Sequence, residues 1–149
     1  MRTRVKWVDG VSFVGESGSG HAVVIDGAPD SGGRNVGMRP MEMMLTGAAA
    51  CTAYDVVTIL KKGRHPVTDV EVTVEGTRAA TSPRVFTALH YIYTVAGHQL
   101  DRRHVERAVE LSKEKYCSAT IMLGKTATIT YEIHLVEGDR VPAPAPSAA

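Results

Sequence analysis

Apolar and polar positions alternate from the start of the chain: Val5 and Trp7 fall on one face, Arg4 and Lys6 on the other. That period of two predicts a half-buried strand over residues 2–8. Asp9-Gly10 is a hairpin-turn dipeptide, so Val11 to Glu16 reads as the returning strand. Gly18-Ser19-Gly20 is the next break, and His21 to Asp26 follows as a third short strand. The chain therefore opens with a three-stranded antiparallel meander. Residues 27–38 are rich in glycine and carry no apolar period, which predicts a long loop of the kind that often serves a function.

The period changes at Pro40. From there to Lys62 the pattern is helical, with proline in the first turn, none inside, Lys61-Lys62 in the last turn and Gly63 as the stop. Methionines, alanines and branched residues cover nearly its whole circumference. Such a helix is expected to be buried on nearly all sides. A domain this small can hardly bury one alone, so a homodimer wrapped around it is the expectation.

Val67 to Arg78 alternates again, and Arg84 to Val95 reads as a long strand with apolar residues on both faces. Asp101 is placed to cap a second helix that carries Val105, Ala108, Val109, Ser112 and Tyr116 on one stripe. Ser118 to Leu123 predicts a further short helix, and Thr126 to Leu135 a last strand with its threonines outward. The order is βββ–α–ββ–α–(short α)–β. Strands and helices do not alternate as a parallel α/β sheet requires, so the fold class is α+β. One domain over residues 1–136 is expected, followed by a flexible Pro/Ala-rich tail over 137–149.

Composition narrows the function. Seventeen Lys and Arg against 16 Asp and Glu give a net charge of +1, with the basic residues scattered. No electrostatic footprint for nucleic acid or an anionic membrane is expected from that balance. No uninterrupted apolar run approaches the roughly 18–20 residues that cross a bilayer, and the first residues show no signal-peptide core. The expected location is the cytoplasm, where thiols stay reduced. The histidines miss metal-ligand spacings, and neither Cys-x-x-Cys nor a phosphate-binding glycine loop with lysine occurs, so no metal or cofactor is expected.

Any chemistry then rests on Cys51 and Cys117. On the long helix, Met44, Gly47, Ala48, Tyr54 and Asp55 share the stripe of Cys51, which would set the thiol in the wall of an apolar pocket. A plain core cysteine on an alanine-rich helix fits the same residues. Asp55 would raise the Cys51 pKa if close and ionised. Cys117 stands between two helices beside Lys115, where backbone N–H groups and a cation would lower a thiol pKa, though a hinge cysteine chosen for size fits too.

Pro40-Met41-Glu42-Met43-Met44-Leu45 followed by Ala48-Ala49-Ala50-Cys51 resembles the central helix of the OsmC/Ohr family, the osmotically inducible and organic-hydroperoxide-resistance proteins. In that family a proline opens the helix and the reactive cysteine comes eleven residues later, as Pro40 and Cys51 do here. Glu114-Lys115-Tyr116-Cys117-Ser118 resembles the second cysteine motif, and the element order matches over residues 2–136. Arg39 to Met43 with Cys51 to Val57 is most similar to the YhfA-like branch. The resemblance implies an OsmC-like fold, antiparallel sheets around buried central helices, in an intertwined homodimer with sites at the interface.

It also implies a reaction. Cys51 would attack an organic hydroperoxide and become a sulfenic acid, Cys117 would resolve it as a disulfide, and a dithiol would reduce the disulfide. Met44 and Tyr54 would line the substrate site. The organic-hydroperoxide enzymes carry a glutamate directly after the proline, where this chain has Met41, and an arginine in the loop read here as Gly18-Ser19-Gly20-His21. Glu42 is the nearest glutamate, and Arg39 or Arg34 could stand in for the arginine; Glu42, nine residues before Cys51, lies about 180° around a straight helix from it and could cap the helix instead. The alternative function is a non-catalytic dimer of the same fold that binds a hydrophobic small molecule or senses redox state.

Overall fold

A computed structural model describes residues 1–143; the part of the expected tail beyond Ala143 lies outside the described residues. The chain divides into two compact units, Met1–Met44 and Leu45 onward.

In the first unit β1 (Thr3–Asp9), β2 (Ser12–Ser17) and β3 (Ala22–Ile25) form an antiparallel meander in that order. Gly10 takes the left-handed conformation (φ 53°) that closes the first hairpin, and the Trp7 indole N–H donates to its carbonyl at 2.9 Å. The expected meander is therefore present. The expected burial of one face of β1 is not: all seven of its residues are exposed, Trp7 at 62% and Val5 at 60%.

The glycine-rich loop is organised by one buried carboxylate. Asp26 accepts from Ser12 Oγ (2.8 Å) and from the backbone N–H groups of Gly27, Arg34 and Val36 at 2.9 to 3.1 Å. These bonds, Ser12's foremost, outweigh burial and hold its pKa at about 2. A depressed carboxylate stabilises the fold at any pH above the unfolded value near 4, and that stability is lost as pH falls through about 2. Asp26→Asn is therefore expected to lower the melting temperature at neutral pH and to flatten the acid side of the stability curve. Thermal melts from pH 6 down to 2.5 measure both, and an unchanged acid slope would refute the assignment.

α1 (Pro40–Lys62) has the bounds its proline and lysines predicted. Its buried residues are Ala48, Thr52, Val56 and Leu60, one i, i+4 stripe. The rest of the circumference is half-buried or exposed within the chain, so the helix is not enclosed as its composition led one to expect. The expectation of no membrane-length apolar segment also needs correction. α1 is long and apolar enough to cross a bilayer by length and composition, because its threonines and Asp55 interrupt the run without lowering its average much. Its one buried stripe packs within the protein, with Thr52 hydrogen-bonded to Tyr93 and Ser112.

The second unit adds β4 (Val67–Arg78), β5 (Phe86–Gly97), α2 (Arg102–Leu111), a π-helical turn (Ser112–Tyr116), α3 (Ser118–Leu123) and β6 (Thr128–Glu137). Its sheet has the order β4-β5-β6, antiparallel between the first two and parallel between β5 and β6. The sheet is thus mixed where antiparallel pairing was expected throughout. The two helices between β5 and β6 supply the crossover that parallel strands need. Leu89, Tyr91, Tyr93 and Val95 alternate along β5 into the core, and Val105, Ala108 and Val109 of α2 are buried as well. Asp101 caps α2 as expected, accepting from the Arg103 N–H at 2.9 Å.

Candidate functional site

Both cysteines lie in the second unit, and both are free thiols. Cys51 sits on α1 immediately before the buried Thr52 and is half-buried; Cys117 is fully buried at the start of α3. The π turn explains the placement of Cys117. Widening the helix by one residue lets the Cys117 N–H donate to the Ser112 carbonyl five residues back, at 2.8 Å. The extra residue carries Tyr116 off the stripe expected for it and into solvent, while the following sulfur turns inward.

There Cys117 Sγ accepts from the Thr120 N–H at 3.4 Å and lies 3.1 Å from Thr120 Oγ1. Burial pushes the Cys117 thiol up from its ordinary value; Thr120's two contacts oppose that rise, and the neighbouring Cys51 thiol adds to it. Cys51, 66 residues away in sequence, is thus near enough to raise the pKa of Cys117. The expectation of a lowered pKa at Cys117 is overturned. Its helix is only six residues long, the Lys115 amine is drawn over the Tyr116 ring at 5.5 Å, and desolvation prevails.

Two chains of hydroxyl groups flank the thiols. In one, Thr120 Oγ1 donates to the Tyr91 hydroxyl at 3.3 Å. In the other, Thr52 Oγ1 bonds the Tyr93 hydroxyl (2.8 Å) and Ser112 Oγ (2.9 Å), and Ser112 Oγ donates to Asp55 Oδ2 at 2.9 Å. Tyr91 and Tyr93 stack with ring centroids 6.2 Å apart, and burial raises the pKa of both hydroxyls. Asp55 accepts from the π turn through Ser112.

Thr52, Tyr91, Tyr93 and Thr120 were not singled out from the sequence. Two signals were available: hydroxyl residues at alternate positions of a core strand, and a threonine three residues after a helix-capping cysteine.

The other predicted site residues are placed differently. Glu42 accepts from the Arg39 N–H at 2.9 Å and pairs with its guanidinium at 3.7 Å, which makes it the cap of α1. Met44 and Tyr54 are exposed, at 48% and 73%. Tyr54 lines a cleft of about 350 Å³ with Asp55, Thr58, Ile59, Lys62 and Tyr116, and neither cysteine opens into it. The apolar pocket expected around Cys51 is thus not closed by these two residues within the chain. Among the described residues no three His, Cys, Asp or Glu side chains are grouped to hold a metal ion.

Residues 31–132 match the family model for OsmC-like proteins. Protein YhfA of Escherichia coli K12 is 46% identical over 136 residues, covering 91% of this chain and 98% of YhfA. A hypothetical protein from Aquifex aeolicus superposes with a TM-score of 0.80 at 24% identity, over 92% of this chain and 96% of that one. An organic hydroperoxide resistance protein OsmC from Legionella pneumophila superposes at 0.66 and 18% identity, over 90% and 97%. The last two likenesses concern the fold.

Proposed function

We propose that this chain, which belongs to the OsmC-like family, is a thiol-dependent peroxidase that reduces organic hydroperoxides. What supports the reading is a fully buried Cys117 with the half-buried Cys51 near enough to raise its pKa, beside the hydroxyls of Thr120, Tyr91 and Tyr93.

Cys51, the less buried of the two, attacks the terminal oxygen of the hydroperoxide as thiolate. The O–O bond breaks, the alcohol leaves, and Cys51 becomes a sulfenic acid. Cys117 attacks the Cys51 sulfur and expels water, and an external dithiol restores both thiols. Arg39 and Glu42 are the weakest members of the proposed set, since each is occupied by the other. Met44 and Tyr54 offer exposed apolar surface to the organic part of the substrate. The working state is a homodimer in the cytoplasm: α1 buries one stripe and β1 none of its residues, which leaves apolar surface for a second copy to cover.

One observation favours the second reading, an apolar-ligand binder. The first unit holds a groove of about 330 Å³ lined by Val5, Val23, Ile25 and Met43. Consumption of cumene hydroperoxide with dihydrolipoamide as reductant, read alongside the mass of the unreduced protein, separates the two. Turnover together with a Cys51–Cys117 disulfide is the expected result. Neither turnover nor disulfide under excess hydroperoxide would sink the peroxidase reading and leave ligand binding.

A further inference from the structure

The buried Cys117 poses a problem for any reaction in which it must act. Among the described residues, the titratable groups that face its sulfur are Cys51 from α1 and Tyr91 and Tyr93 from β5. Its raised pKa keeps it protonated at neutral pH, and a protonated thiol does not attack a sulfenic acid. The hydroxyl that the sulfur touches is that of Thr120.

Thr120 and Tyr91 are aligned in one direction. Thr120 Oγ1 donates its hydrogen to the Tyr91 hydroxyl at 3.3 Å. At the 3.1 Å contact between Cys117 Sγ and Thr120 Oγ1, the hydroxyl oxygen is therefore left as acceptor and the thiol as donor. The Tyr91 oxygen, already accepting from Thr120, keeps its own O–H to give. Tyr91 is 1% exposed, and both cysteines lie near enough to add to the rise of its pKa that burial causes.

We infer that Thr120 is a catalytic residue, and that Cys117, Thr120 and Tyr91 form a proton relay which activates the resolving thiol only when a hydroperoxide has been reduced at Cys51. This rests on the peroxidase reading above. The Cys51 thiolate takes the terminal oxygen of ROOH, and the O–O electron pair leaves on the alkoxide RO⁻. Tyr91 gives its proton to RO⁻, Thr120 gives its own to Tyr91, and Cys117 gives its own to Thr120. The products are ROH, Cys51–SOH and a Cys117 thiolate, with both hydroxyls restored. The thiolate then forms the S–S bond as hydroxide leaves the Cys51 sulfur and takes a proton from solvent. No charge rests on Tyr91 or Thr120 at any stage, which suits their burial.

Thr120→Val removes the hydroxyl at nearly constant shape and keeps the N–H that donates to Cys117 Sγ. Rapid mixing with one equivalent of cumene hydroperoxide, followed by acid quench and mass analysis, resolves sulfenic acid from disulfide. In the wild type, disulfide formation is expected to follow sulfenic acid closely at a rate independent of pH between 6 and 8. In Thr120→Val it should fall roughly 10²-fold, the lower range for loss of acid–base help. It should then climb tenfold per pH unit, because it depends on the spontaneously ionised thiol. Thr120→Ser should restore both rate and flat profile, and Tyr91→Phe should reproduce the valine defect should valine disturb packing. An unchanged rate and profile in Thr120→Val and Tyr91→Phe would overturn the relay while the wild type still turns over. A wild type that forms neither product would overturn the peroxidase reading and the relay together.

Discussion

Cys51→Ser loses hydroperoxide turnover to the level of the uncatalysed reaction, a fall of about 10³-fold or more, while Cys117→Ser completes one half-reaction and stops. The asymmetry follows from where the sulfurs lie. Cys51 is half-buried on α1 and is the one a substrate can reach; Cys117 is sealed by burial and held by Thr120. A serine at position 51 offers an alcohol in place of a thiol and does not ionise in the working pH range. A serine at position 117 keeps a group that Thr120 can hold, so the fold is preserved and only resolution is lost. One equivalent of alcohol per chain should appear in Cys117→Ser, with a sulfenic acid that a dimedone adduct traps at Cys51. Turnover that survives in Cys51→Ser would exclude Cys51 as the nucleophile.

The same two cysteines show what could and could not be read from the chain. Their candidacy was legible, because small residues surround Cys51 and a hinge surrounds Cys117. The bounds of α1 were legible too, since Pro40, Lys61, Lys62 and Gly63 are strong local signals, and so was the Asp101 cap. The ionisation of Cys117 was misread. A cation at position 115 and a helix start are visible in sequence, whereas the desolvation that outweighs them depends on what the fold lays over the sulfur. The π turn was invisible because a hydrogen bond to the fifth residue back has no hydrophobic period of its own. The parallel pairing of β6 with β5 was implicit in the helices between them, but strand alternation looks alike in parallel and antiparallel ladders. Buried hydroxyls such as Thr52 and Thr120 read as surface residues until their partners, contributed from distant strands and helices, are known.

Ala50→Glu is expected to dissociate the proposed homodimer, weakening it by about 10³-fold or more, and to take steady-state turnover with it. Ala50 is exposed in the single chain and stands about 200° around α1 from Ala48, well away from the stripe of Ala48, Thr52, Val56 and Leu60. Glutamate is nearly as good a helix former as alanine, so in a monomeric protein this change would stay within about 0.5 kcal/mol. An intertwined dimer places the same position against an apolar partner, where an unpaired carboxylate costs several kcal/mol. The exposed Met44 and Tyr54 on α1, and Trp7 and Val5 on β1, make the second case the expected one, because isolated chains rarely leave that much apolar surface to water. Sedimentation velocity of the wild type and the variant decides it. A dimer that becomes monomeric on substitution supports covering of α1 by a second copy. A wild type that sediments as a monomer, or a variant dimer of unchanged affinity, removes α1 from the interface and with it the interface site that the family resemblance implies.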